Sequence, residues 1–244
     1  MVPVIGVLAT AAIGALLGCG SDAKTGPPPF TVGDSEVRAE CLFGTYLPGT
    51  VGSRTVEGPP PADWHRIEDA PGALQPDRAA VVLTIRPKDP GEQLEITGVR
   101  LEVEQRRLRP LGFVFYRPCE KRLRGPAIEA DLDGSGEITA TSAALDGAIG
   151  PGLRLPDDAR PIEFPWTVSL DRPLRIYLIA HSEHCYCTWS VRVLWQSGSS
   201  EGTIHADNGG RGYTMTDTIG VPWNRPGPDR RWVQIVPPTW TGVR

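Results

Sequence analysis

His181–Trp189, "HSEHCYCTW", concentrates the side chains best able to do chemistry: two histidines, two cysteines and a tryptophan in nine positions. Three chemistries suit that set. His181, His184, Cys185 and Cys187 carry the nitrogen and sulfur donors of a tetrahedral transition-metal site. Cys185 and Cys187 as free thiols would form a redox pair. Oxidised, they would be halves of two disulfides. Alternate residues of a strand share a face. His181, Cys185, Cys187 and Trp189 then point one way and His184 the other, which separates the metal donors unless the strand breaks at Ser182–His184. A bridge between Cys185 and Cys187 must span Cα atoms ~6.5 Å apart at ~3.3 Å rise per residue, with parallel Cβ vectors, near the geometric limit. The pairing expected is Cys119–Cys187 with Cys41–Cys185, and the swapped connectivity is the alternative. Trp189, in phase with both sulfurs, is expected to pack beside them.

"DLDGSGEITATS", 131–142, resembles the first half of a calcium-binding EF-hand loop. Asp131, Asp133 and Ser135 occupy ligand positions, and a glycine follows at 136. The bidentate glutamate expected at the loop's end is Ser142, and no helical pattern flanks it. "LDGSGE" therefore reads as a hairpin turn. No nucleophile elbow, HExxH or phosphate-binding glycine loop occurs. The histidines at 65, 181, 184 and 205 show no spacing that singles out a catalytic one. Paired carboxylates of a polysaccharide hydrolase need no local motif and stay as an alternative. The expectation is a non-enzyme without a cofactor.

The elements that must position these residues are strands. Period-two alternation predicts them at 79–87, 94–105, 111–119, 127–132, 137–141, 164–170, 174–182, 187–195, 202–207 and 213–217. Turn clusters separate them: "KDPGE", "LDRP", "QSGSSEG" and "DNGGRG". No segment has the period of an amphipathic helix. The pattern predicts an all-β chain folded as a disulfide-stapled antiparallel β-sandwich, immunoglobulin-like or jelly-roll-like. Residues 56–77 read as a Pro-rich loop. The Pro/Trp-rich tail 221–240 reads as irregular, with one edge strand at 231–236. Trp189 and Trp195 alternate toward the core. Trp64, Trp223, Trp232 and Trp240 lie in Pro-rich stretches, where they either cap the sandwich or offer exposed rings to a sugar or protein.

The compartment is read from the first residues. "MVPVIGVLATAAIGALLGCG" has no charged side chain, as in the apolar core of an export signal. "LLGC", Leu16 to Cys19, resembles the bacterial lipobox. That resemblance implies removal of 1–18 and a diacylated Cys19, with an uncleaved membrane helix or free secretion as alternatives. Residues 19–36 read as a flexible tether, and 37–244 as a single domain. Outside the cell, cysteines oxidise by default. The net charge of −4 is mild. The basic clusters "EQRRLR" (104–109) and "EKRLRG" (120–125) are too small to indicate nucleic-acid binding and read as a solvated face.

Cys185–Trp189, the Val193–Trp195 strand end and "DNGGRGYTMT" from Asp207 together resemble the end of an uncharacterised actinobacterial exported β domain. "EITGVRLEVEQRR" and "FYRPC" resemble it more loosely, so the likeness spans roughly residues 92–216. It implies one exported β domain and a structural role for the paired cysteines; it implies no activity. The expected function is a lipid-anchored, cell-surface binding module for an envelope protein or cell-wall glycan, held to the membrane by its anchor. The alternatives are an extracytoplasmic polysaccharide hydrolase and a metal or redox protein built on His181–Cys187.

Overall fold

The structure is a computed structural model. It describes residues 28–36, 44–49, 60, 65–116, 121–122, 126–134, 137–139, 141–142, 153–154, 162–229 and 231–235. The N-terminal part supplies β1 (Phe30–Glu36), β2 (Thr45–Pro48), a single helical turn α1 (His65–Glu68), β3 (Gln75–Pro76), β4 (Arg78–Pro87) and β5 (Leu94–Arg107). Short strands follow: β6 (Gly112–Phe115), β7 (Lys121–Arg122), β8 (Ala127–Asp131), β9 (Glu137–Thr139), β10 (Thr141–Ser142), β11 (Leu153–Arg154) and β12 (Trp166–Val168). The chain continues with β13 (Leu174–His181), β14 (Tyr186–Ser197), β15 (Ser200–Ala206), β16 (Tyr213–Thr216), β17 (Trp223–Pro226) and β18 (Trp232–Ile235).

Two sheets face each other across the main core. One has the order β1-β4-β13-β8-β10; the other has β12-β5-β14-β16-β3, with β15 on β14 and β9 on β5. Val81, Leu83, Ile85, Ile176 and Leu178 from the first meet Val99, Leu101, Trp189, Val191 and Val193 from the second. All are essentially inaccessible to water, and apolar area removed from water is the main stabilising term at ~25 cal/mol per Å². The all-β, sandwich-like expectation holds. The purely antiparallel arrangement does not, because β8 runs parallel to β13, β3 to β16 and β17 to β6. β4 and β13 explain part of this. Their outward residues Ala80, Val82, Tyr177 and Ile179 are buried as well. Strands covered on both faces read as continuous apolar runs and can take parallel neighbours.

β5 shows why its alternation is clean only in its second half. Leu94 and Ile96 face inward, and so do Val99, Leu101 and Val103. The phase slips by one residue around Gly98, where the register with β14 shifts between Leu194 and Trp195. A bulge of this kind re-aims the strand without losing its inner face.

Three expectations are corrected. The tether does not extend to residue 36: Phe30–Glu36 is an edge strand paired antiparallel with β4, and Phe30 is buried against Trp195. "LDGSGE" is not a simple hairpin, since β9 crosses to pair with β5 while β10 returns to β8. The C-terminal region is more regular than read. β17 and β18 join β6 and β2 in a four-stranded sheet over a small core of Tyr46, Val114, Tyr116, Val221 and Trp223. Trp223 is thus fully buried and Trp232 stacks edge-on against Phe115, so neither is an open platform. Trp189 and Trp195 face the core as expected. Trp64, Trp240 and residues 1–27 lie outside the described residues.

The "DNGGRG" loop needs its glycines. Asp207 turns it, its carbonyl accepting from Arg211 N and Gly212 N and its carboxylate from Gly210 N. Gly209 and Gly212 both have positive φ, and a Cβ on Gly212 would lie 2.4 Å from Thr188 Cγ2, while one on Gly209 would meet nothing. Gly209→Ala should therefore cost only the conformational penalty, about 1 kcal/mol. Gly212→Ala should cost about 3 kcal/mol or more, because a clash is added. Urea unfolding midpoints of the two variants check the ranking.

Candidate functional site

The residues singled out in the sequence meet at one end of the sandwich, around the break between β13 and β14. Asp133, from the crossing after β8, holds that break. Its Oδ2 accepts from Glu183 N at 2.8 Å, and its Oδ1 accepts from Ser182 Oγ and from His184 N at 3.2 Å. Burial alone would raise the Asp133 carboxyl. The bonds from Ser182, Glu183 and His184 and the nearby His184 ring outweigh it and hold the group below its ordinary value. Leu132 N donates to His181 O at 2.8 Å alongside. The acidic loop and the histidine–cysteine run are thus partners of each other. Both Asp133 oxygens are taken up by protein donors, and Asp131 Oδ1 accepts from Asp133 N at 2.9 Å. The calcium arrangement of Asp131, Asp133 and Ser135 is not what these two aspartates form; Ser135 lies outside the described residues.

Cys185 and Cys187 are bonded to each other, with Cα atoms 5.3 Å apart. This replaces the expected Cys119–Cys187 and Cys41–Cys185 pairs; Cys41 and Cys119 lie outside the described residues. Cys185 precedes β14 rather than lying within it, so the spacing of an extended strand does not apply to the pair. The turn held by Asp133 draws its Cα closer than two extended residues allow. A bridge closing so short a loop restrains the unfolded chain little, roughly 1–2 kcal/mol against about 4 for a long-range one. Both sulfurs sit in the core beside Trp189 and Met215. Joined to each other, they offer no thiolate pair to a metal.

His181 belongs to a different face. It projects from the outer side of β13, with Nε2 3.9 Å from Glu129 and Nδ1 3.9 Å from Asp131; Arg78 pairs with Glu129 at 2.7 Å. His184 is exposed. The structure therefore does not gather His181, His184, Cys185 and Cys187, and no group of three or more metal-ligating side chains occurs among the described residues.

Sequence reasoning missed the residues that complete this end. Asp77, in the turn between β3 and β4, has a positive φ of 54°. Its N donates to Thr216 O at 2.7 Å and its O accepts from Ser182 N at 3.0 Å. Thr218 Oγ1 donates to its carboxylate and accepts from Trp223 Nε1 at 3.3 Å. Burial pushes the Asp77 carboxyl from 3.8 up to about 6, against the hydrogen bonds from Thr218; Asp217 adds to the rise and Arg109 opposes it. Arg109 in turn forms an ion pair with Asp217. Tyr46 lies in the same field, its hydroxyl raised by burial and donating to Pro110 O. These groups come from β2, the turn before β4, the β5–β6 loop and the β16–β17 loop. No local motif links them.

Comparison with known proteins gives no match: no family model, no curated protein and no solved structure is similar to this chain. The chemistry of the site rests on its own geometry.

Asp77 and Asp133 impose opposite pH dependences. The folded state keeps the Asp77 proton up to about pH 6 and the unfolded chain only to 3.8. Its stabilising contribution is full below 3.8 and is lost as pH rises through about 6. Asp133 titrates lower in the folded protein, so its contribution is present above the ordinary carboxylate value and lost as pH falls through the lowered one. Asp77→Asn keeps an acceptor for Thr218 and tolerates the left-handed φ. It should stabilise the protein by about 1–3 kcal/mol near pH 8 and give no gain near pH 4. Asp133→Ala orphans three donors and should cost about 2–3 kcal/mol at neutral pH. Urea midpoints at the two pH values test both. Digestion without reductant should yield one peptide carrying Cys185 and Cys187, lighter by the two thiol hydrogens. A peptide linking either cysteine to Cys41 or Cys119 would refute the local bridge.

Proposed function

We propose that this protein is an exported, lipid-anchored β domain that works as a binding module for an envelope protein or cell-wall glycan rather than as an enzyme. One observation carries the reading. β1 enters the sandwich at Phe30, opposite Pro87, whereas Asp77, Asp133, Arg109 and Asp217 gather at the other end of the same strands. A chain tethered through Cys19 would turn that polar end outward.

The roles of the carboxylates there support binding over hydrolysis. Asp133 is spent on the 182–184 turn, Asp217 on Arg109 and Asp77 on Thr218. A glycoside hydrolase needs two carboxyl groups open to substrate across roughly 5–9 Å. The raised Asp77 carboxyl is the feature that favours the hydrolase alternative among the described residues.

Mass spectrometry of the mature protein tests the anchor. The expected N-terminus is a diacylated Cys19, and Cys19→Ala should move the protein from the membrane to the soluble fraction. Recovery from the cytosol with residues 1–18 attached would overturn the reading. Binding is tested by sedimenting the purified domain with isolated cell walls before and after protease treatment. Glycan binding survives the protease, and binding to a wall-associated protein does not.

A further inference from the structure

The same end carries an apolar tip that the polar cluster does not explain. Leu108, Leu111 and Ile219 are 96%, 63% and 60% exposed, although aliphatic side chains of this size are mostly buried elsewhere in the domain. Arg109 makes them neighbours. Besides pairing with Asp217, it donates to Asp217 O at 3.0 Å and to Ile219 O at 2.9 Å, tying the β5–β6 loop to the β16–β17 loop. Tyr46 Oη donates to Pro110 O, and Gly49 N to Leu111 O at 2.8 Å. The three side chains therefore stand on a fixed backbone, and a rigid element loses little conformational entropy on docking.

The charge at the base of the tip is uncompensated. Arg106 and Arg107 are exposed. Arg106 donates to Leu132 O at 2.6 Å and to Gly134 O, and Arg107 to Gln105. Neither has a carboxylate partner among the described residues. An exposed apolar tip with two arginines at its base is complementary to an apolar pocket with a negative rim.

Its placement is remote from the chain's entrance. Lys88 N bonds Pro29 O, fixing the chain's entrance beside the start of β5. The fourteen residues of β5 then separate that entrance from the tip by roughly 40 Å. A domain standing upright on the tether of residues 19 to 30 therefore carries the tip outward, away from the chain's entrance.

We infer that the Leu108–Leu111–Ile219 tip is the docking element of the module, and that its partner is a protein with an apolar pocket rimmed by carboxylates. The inference deepens the proposed binding function and rests on it for the partner's compartment. The test places a photo-cross-linking benzoylphenylalanine at Leu108, Leu111 or Ile219, with Asp171 and Glu201 at the opposite end as controls, in the full chain produced in its native cells. The expected result is one protein adduct shared by the three tip positions and absent from the controls, mapping to a peptide with Asp or Glu beside apolar residues. Arg107→Glu should reduce its yield about ten-fold or more while leaving the thermal midpoint unchanged. Adducts of phospholipid mass, adducts of the chain with itself, equal labelling at the controls, indifference to Arg107→Glu, or no adduct would each overturn the assignment. Fractionation and the Cys19 acyl group are read from the same cells. An acylated, exported chain without a tip adduct defeats the docking element alone. A cytosolic chain with the adduct defeats the export reading alone.

Discussion

The two sheets of this protein are fastened at Asp77, and the architecture of its polar end follows from that residue. Asp77 sits between β3, which belongs to one sheet, and β4, which belongs to the other. Its amide reaches Thr216 at the end of β16, its carbonyl receives the amide of Ser182 after β13, and its side chain takes Thr218. One residue thus satisfies backbone groups from both layers, which otherwise would be buried at an open end without partners. The left-handed φ lets it do so, and aspartate is among the few residues that accept that conformation at modest cost. The raised carboxyl is the cost of this position: the group is too enclosed to ionise freely.

From Asp77 the polar end is assembled outward. The segment that bonds its carbonyl is the start of the Ser182–His184 turn, which Asp133 grips from the other side. That turn brings Cys185 and Cys187 within bonding distance. The segment that bonds its side chain leads through Asp217 to Arg109 and so to the loop bearing Leu108 and Leu111. The small sheet is carried along, since Trp223 reaches Thr218 and Tyr46 reaches Pro110. The polar end is therefore a consequence of sheet joining rather than an addition to a finished sandwich.

The strands were legible because their signal is local. Alternation such as Val99–Leu101–Val103 reports burial of one face directly, and β5, β8, β13, β14, β15 and β16 lie where the pattern places them. β1 escaped because "FTVGDSE" is short, polar on its outer side and preceded by prolines. As an edge strand it fully buries only Phe30 among its described side chains. The site was legible only in part. His181–Trp189 and Asp131–Asp133 stand out by composition, yet nothing in either says that one clamps the other, because that contact spans about fifty residues of chain. Asp77, Arg109 and Asp217 carry no signal at all: each is an ordinary loop residue until the fold assembles its neighbours. The local disulfide is hidden in the sequence for a related reason. Cys185 lies outside the strand, drawn out of line by the contact that Asp133 makes with the preceding turn.

The central ladders also set the order in which the chain can take shape. Val99 pairs with Val193, and Leu83 with Ile176, so the two longest seams unite segments roughly ninety residues apart. A polypeptide made from its N-terminus presents β4 and β5 long before β13 and β14 exist. Non-local pairing of this kind is slow, and the waiting apolar edges are open to wrong partners. Until the C-terminal half is complete, the nascent protein depends on something other than its own fold to keep those strands apart.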